Sequence, residues 1–127
     1  MSTLNVSNIS DGTTSVGTGY VVNGSAKAWV NLNGQGSIAI RDSLNVASLT
    51  DIGTGQQRAN YTSAMSSADY SVSLTANNNI GVNFEMHFTL ADGQINASYV
   101  QWFTSINSGT SLYDNSHVFS QSFGDLA

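Results

Sequence analysis

The chain has 127 residues, a formal net charge of −5 and only 9% charged residues, and it contains no cysteine. This length suits one domain with one hydrophobic core, and the lack of cysteine excludes disulfides, thiolate chemistry and cysteine-ligated zinc. Three basic residues against eight acidic ones offer no positive surface to a phosphate backbone, which argues against nucleic acid as a partner.

The N-terminal segment, residues 1–24, is predicted to be an arm that precedes a folded domain of residues 25–127. It begins with an apolar alternation at Leu4 and Val6, and residues 10–19 are mostly Gly, Thr and Ser. Such a segment buries little apolar area, so we expect a flexible arm that becomes ordered only on another subunit. The chain has neither a signal-peptide pattern nor the roughly 18 consecutive apolar residues of a membrane span, so we expect no membrane association.

The folded domain begins with a predicted β-hairpin. Residues 26–32 alternate small or apolar residues with larger or polar ones, among them Lys27 and Trp29, which is the pattern of a strand with two unlike faces. Asn33-Gly34 favours a tight turn, and the apolar alternation resumes at Ile38 and Ile40.

Further strands follow at short intervals. In a regular strand Leu44 and Val46 would point to one face and Leu49 to the opposite face. A β-bulge near Ala47-Ser48 is therefore needed to keep all three in the core. Strands are also expected over residues 57–61, 70–74, 80–90, 97–106 and 116–123, and the fourth of these segments, residues 97–106, carries apolar groups on both faces.

The longest of these alternations, residues 80–90, is expected to form the centre of the core. No segment shows a clear 3.6-residue period. The sequence therefore predicts an all-β fold, an antiparallel β-sandwich of about eight strands with jelly-roll-like connections.

Candidate catalytic and metal-binding residues are few. Glu85 and His87 lie on one side of a predicted strand, about 6 to 7 Å apart, but no further ligand cluster lies nearby in the sequence. Asp114 with His117 is best explained as a pair of solvated or capping groups, and Asp51 as part of a turn. No nucleophile-elbow, Walker or dinucleotide motif occurs. We therefore predict no enzyme activity, no cofactor and no metal.

Several short words of the sequence carry a resemblance. Trp-Val-Asn and Ile-Arg-Asp-Ser flank the Asn33-Gly34 turn, and Tyr61, Ala64-Met65, Asp69-Tyr70 and a closing Phe-Gly-Asp follow in order. Together, over roughly residues 25 to 125, they resemble a domain that recurs in tail-fibre and other virion structural proteins of tailed bacteriophages. The resemblance implies synthesis in the host cytoplasm and a place on the outer surface of the virion, and it transfers no catalytic residues.

Apolar side chains on both faces of several strands predict self-association, and the resemblance implies a homotrimer. Because the chain has no shaft, heptads or repeats, we expect a capsid decoration or cement protein that binds the major capsid protein. The alternative is a small tail-fibre or tail-tip protein that binds a host cell-surface glycan. Large aromatic residues dominate interface energetics; the predicted subunit contacts are Lys27, Trp29, Trp102 and Phe119, and the predicted glycan contacts are Tyr113 and Asp114.

Overall fold

The computed structural model describes residues 1–77, 86–90, 93–106 and 111–127. Within these residues the regular elements are antiparallel strands and one short helix. In chain order they are β1 (Asn8–Ser10), β2 (Ser15–Gly17), α1 (Thr18–Gly24), β3 (Ala28–Asn33), β4 (Ala39–Leu44), β5 (Val46–Gly53), β6 (Gln56–Tyr61), β7 (Ser71–Ala76), β8 (Met86–Thr89), β9 (Ile95–Asn96), β10 (Tyr99–Ile106), β11 (Ser111–Leu112) and β12 (Val118–Phe123).

Two sheets carry the folded domain. The first has the strand order β4-β3-β12-β7. In the second, β5 pairs with β6 and β6 pairs with β10. Most residues of β10 that pair with β8 or β9 also pair with β6 or β11. Strands β6 and β11 therefore lie along one edge of β10, and β8 and β9 lie along the other edge.

The alternation in the sequence determines which side of each strand faces the core. In β3 and β6 every second residue is buried and the residues between are half-buried, as period-2 side-chain geometry requires. The buried cluster consists of Ala28, Val30, Leu32, Ala59, Tyr61, Met65, Tyr70, Val100, Trp102 and Val118. It draws on strands of both sheets, so the predicted antiparallel β-sandwich is confirmed. The hairpins β3–β4 and β5–β6 each stay within one sheet, which departs from jelly-roll connectivity.

The chain passes from the first sheet to the second at Asn45. Asn45 has a positive φ of 56°, which non-glycine residues adopt rarely and asparagine more readily than most. Its side chain donates to the Ser63 carbonyl and accepts from the Ser63 amide, at 2.9 and 2.7 Å. The register then shifts between Val46 and Ser48, so the predicted bulge is confirmed. It allows Val46 and Leu49 both to pack against the core.

Three sequence-based details are corrected. Leu44 does not enter the core: it lies opposite Trp29 and is 49% exposed, because the corner at Asn45 separates it from β5. The β3–β4 turn spans residues 34–38, and the positive φ belongs to Gly36 rather than to Gly34. The arm contains a β1–β2 hairpin and helix α1 instead of an irregular segment. Most of the strand predicted over residues 80–90 lies outside the described residues.

Candidate interaction surfaces

The outer face of the first sheet carries the predicted interface residues Trp29 and Phe119. Trp29 pairs with Gln121, and Phe119 pairs with Asn31 on the same two strands, so the two rings are diagonal neighbours on one side of the sheet. Both are half-buried, and neither belongs to the core cluster. The structure thus brings these two residues together on one surface, although they are far apart in the sequence.

Further apolar groups extend this surface. Leu44 lies beside Trp29 on β4, and Phe123 follows Phe119 on the same side of β12. The His117 ring stacks on Phe119, with ring centroids 6.3 Å apart and planes inclined by 26°. We call Trp29, Leu44, Phe119 and Phe123 the outer aromatic face. Leu44 was missed as a surface residue because its parity with Val46 suggested a place in the core.

Trp102 does not belong to any surface, and its predicted interface role is wrong for this fold. The residue is fully buried in the centre of β10. Its Nε1 donates to Gln57 Oε1 at 3.2 Å across the β6–β10 pair. When a strand has apolar residues on both faces, its sequence does not indicate which face packs against the other sheet. In β10, Trp102 lies on the face that packs against the other sheet.

The loop with Tyr113 and Asp114 is fixed from within. Asp114 Oδ1 accepts from the Gly55 amide at 2.6 Å and from Gln57 Nε2 at 3.3 Å. The Tyr113 amide donates to the Thr104 carbonyl at 3.0 Å, and the Thr104 hydroxyl donates to the Tyr113 carbonyl at 2.5 Å. Asp114 therefore ties the loop to the second sheet, and both Tyr113 and Asp114 are half-buried.

Lys27 holds the end of the arm. Its ammonium group donates to the Val22 carbonyl and to both the carbonyl and the hydroxyl of Ser25, the latter two at 2.8 and 2.9 Å. Cations near a helix C-terminus satisfy free carbonyls and interact favourably with the helix dipole. Lys27 thus contacts its own chain at the C-terminal end of α1.

The arm exposes an unusual amount of apolar surface. Residues 1–24 include no buried residue, and the few half-buried positions are Gly17 and Thr18. Leu4 and Tyr20 are about four-fifths exposed, at 81% and 80%. Large exposed apolar patches mark surfaces that bind other molecules; the residues concerned are Leu4, Val6, Ile9, Val16, Tyr20, Val21 and Val22.

A third surface lies on the outside of the second sheet. The Arg58 guanidinium stacks on the Tyr99 ring at 4.1 Å from its centroid. Its Nε and Nη2 donate to Gln101 Oε1 at 3.1 and 2.7 Å, across the register pair Arg58–Gln101. The guanidinium is therefore held in one position by a cation–π contact and two hydrogen bonds. Arg58 and Tyr99 were not predicted as neighbours, because their proximity depends on strand register.

Two buried tyrosines form a hydrogen-bonded group between the sheets. The Tyr61 hydroxyl bonds to that of Tyr70 at 3.2 Å and to that of Ser122 at 2.8 Å. The Tyr70 hydroxyl also donates to the carbonyls of Asn96 and Tyr99, at 3.1 and 2.9 Å. Burial raises the pKa of both phenols, and in Tyr70 the hydrogen bond with Tyr61 raises it further. These neutral phenols serve to join the two sheets.

The candidate chemical sites do not assemble in the described residues. Asp114 bonds to Gly55 and Gln57, whereas His117 stacks on Phe119 and contacts Ser116. Over the described ranges there is no cluster of three or more His, Asp or Glu residues that could hold a metal ion. Glu85 lies outside the described residues.

Among the described residues, no helix has the length and apolar character needed to cross a membrane. Comparison of the chain with family models, with curated proteins and with solved structures found no match.

Proposed function

We propose that the protein is a self-associating structural component of a bacteriophage particle. The observation that carries the proposal is the arm, in which eight large apolar side chains, including that of Met1, are exposed and no residue is buried. Contact with water makes such a surface unfavourable, and burial against another protein removes that cost. The outer aromatic face adds a second apolar surface on the folded domain. An assembly in which other protein chains cover both surfaces removes both of them from water.

Within this proposal, the chain forms a homotrimer on the outer surface of the phage head and binds the major capsid protein. The sequence resemblance supports this location, and its two most specific words fall on β3 and β4, which pair as a hairpin. The function is mechanical: each trimer adds contacts between neighbouring capsomers and so raises the resistance of the shell to internal pressure. No catalytic step is involved.

The first test is the mass of the purified full chain in solution. Light scattering coupled to size exclusion is expected to give three times the chain mass of 13.4 kDa. A species of one chain mass at about 0.1 mM protein would contradict self-association, because an obligate assembly should be populated at that concentration.

The second test concerns the location. Cryo-electron microscopy of intact particles is expected to show many copies on the head, and the purified protein should bind to shells that lack it. A few copies confined to the tail would contradict the decoration role and would favour a fibre.

A second candidate function is recognition of a host glycan by the loop around Tyr113. The observation in its favour is that Asp114 and Thr104 hold this loop in one conformation, and a fixed loop loses little entropy on binding. Saturable binding on a glycan array, abolished by Tyr113→Ala but not by Tyr20→Ala in the arm, would support this function. Equal loss in both variants, or no binding, would contradict it.

A further inference from the structure

The arm and the outer aromatic face belong to the same end of the first sheet. The Lys27 amide donates to the Ser122 carbonyl at 2.8 Å, which joins the base of the arm to β12. Trp29 and Phe123 lie within two residues of this bond on the outer side of β3 and β12. Each chain therefore carries one exposed apolar arm and one partly exposed apolar sheet surface close to each other.

Both surfaces are poor in charge. The arm contains one charged side chain, Asp11. On the sheet, the rows that contain Trp29 and Phe119 include one carboxylate, Asp42, on the edge strand β4. Contact between surfaces of this kind requires little desolvation of charge, which is a main cost of burying polar protein surface.

From these observations we infer that the arm of one copy docks on the outer aromatic face of a second copy. This inference rests on the proposed self-association and specifies its contact. The occupant is a second copy because every chain supplies one arm and one face, so a single contact can repeat until all arms and faces are covered. A head-to-tail contact of this kind closes into a ring when the rotation between copies allows it, and a three-fold ring is the proposed trimer.

Because the chain lacks cysteine, the contact can be tested by cross-linking between single-cysteine variants of the full-length protein. Val22→Cys and Val16→Cys each place a thiol on the arm, and Gln121→Cys places one in the middle of the outer aromatic face. An arm variant is mixed with the face variant, and the mixture is denatured, refolded and oxidised. It should yield a disulfide-linked pair of chains that neither variant yields alone. Thr50→Cys, on the exposed outer side of the second sheet, is the matched control and should give no such product with either arm variant.

A second measurement uses substitutions that leave the core cluster untouched. Full-length chains with Tyr20→Ser and Val22→Thr in the arm, or with Trp29→Thr and Phe119→Thr on the face, should both lose the oligomer, with at least a tenfold weaker association. An unchanged far-ultraviolet circular dichroism spectrum of the arm variant verifies that the sandwich is intact, because loss of association alone lowers the urea midpoint.

The outcomes separate the inference from the proposal on which it rests. An oligomer that forms no arm-to-face disulfide and is insensitive to the arm substitutions would overturn the docking inference while leaving self-association in place. A monomeric full-length chain would overturn both. A monomer whose arm cross-links to the major capsid protein would identify a different occupant and would also overturn the inference.

Discussion

Asp114 offers the sharpest test of how the loop is held. Its Oδ1 accepts two hydrogen bonds from the second sheet, the 2.6 Å bond from the Gly55 amide and the 3.3 Å bond from Gln57 Nε2. Gln57 is buried and also accepts from Trp102 Nε1. The change Asp114→Ala removes the shared acceptor and leaves both donors without it, so we expect the folded state to lose stability rather than binding alone.

The expected loss can be estimated from the two bonds. A hydrogen bond to a charged group contributes about 1.5 to 3 kcal/mol, and the longer bond from Gln57 contributes about 0.5 to 1 kcal/mol. Since the group is only partly buried, water compensates for some of this, and we expect Asp114→Ala to cost about 2 to 3 kcal/mol. The change Asp114→Asn keeps an oxygen acceptor without the charge and should cost about 1 kcal/mol.

The assay is urea unfolding at one fixed protein concentration, followed by tryptophan fluorescence, because Trp102 lies next to Gln57 in the core. With a slope of about 1.5 kcal/mol per molar urea, Asp114→Ala should lower the midpoint by about 1.3 to 2 M. Asp42→Ala is the control, since that exposed carboxylate accepts from the adjacent Ser43 amide. If Asp114→Ala and Asp42→Ala have the same midpoint, the structural role assigned to Asp114 is refuted.

Three further predictions concern the turn glycines, the base of the arm and the buried phenols. Gly55 has a φ of +66°, and a Cβ there would lie 2.7 Å from the Tyr113 amide, whereas Gly36 has a φ of +62° and open space. Gly36→Ala should cost about 1 to 2 kcal/mol for the left-handed conformation alone. Gly55→Ala should cost at least 1 kcal/mol more, and equal urea midpoints would contradict the close contact. Lys27→Met should increase proteolytic cleavage within residues 18–24 without lowering the urea midpoint. Lys27→Arg keeps the cation and should be cleaved less than the Lys27→Met variant. The pKa values of Tyr61 and Tyr70 are raised above the ordinary value of about 10, so the unfolded chain loses these protons first. The stability is therefore fully present below pH 10 and falls above it; a Tyr61→Phe, Tyr70→Phe double variant should show a shallower decline of the urea midpoint between pH 9.5 and 11, and identical slopes would contradict this.

The local features of the fold could be predicted because their causes are local. The alternation in β3 is visible in the sequence itself. The bulge at Ala47 follows from the need to bury both Val46 and Leu49, which a regular strand cannot do. Neither inference requires knowledge of which strands are neighbours.

Features that depend on strand pairing could not be predicted. Trp29 and Trp102 both occupy regular strands, and only the position of the second sheet makes one a surface residue and the other a core residue. The sequence predicts that Gly34 is needed for an Asn-Gly turn. In the structure the reason is different, because a Cβ at this position would lie 2.9 Å from the Asn115 carbonyl. Its requirement for a small residue thus comes from a segment far away in the chain. Helix α1 was missed because seven residues with a glycine at the end give no periodic signal.

The scarcity of charge explains how the stabilising and the associating parts of the surface are divided. In the described part of the chain, the three cations bind polar groups of their own chain instead of carboxylates. Lys27 holds the end of α1, and Arg58 binds Gln101 and Tyr99. Arg41 donates to the carbonyls of Leu32 and Ser116, at 2.7 and 2.5 Å. Arg41 and Arg58 thus each join segments that are distant in the chain, whereas Lys27 holds a local contact. The arm and the outer aromatic face are left almost uncharged. A surface without charge has little long-range attraction for other proteins, so its specificity must come from shape and from the presence of a matching copy. Low charge on both surfaces therefore favours an arm that docks on another copy of the same chain over an arm that binds a charged partner.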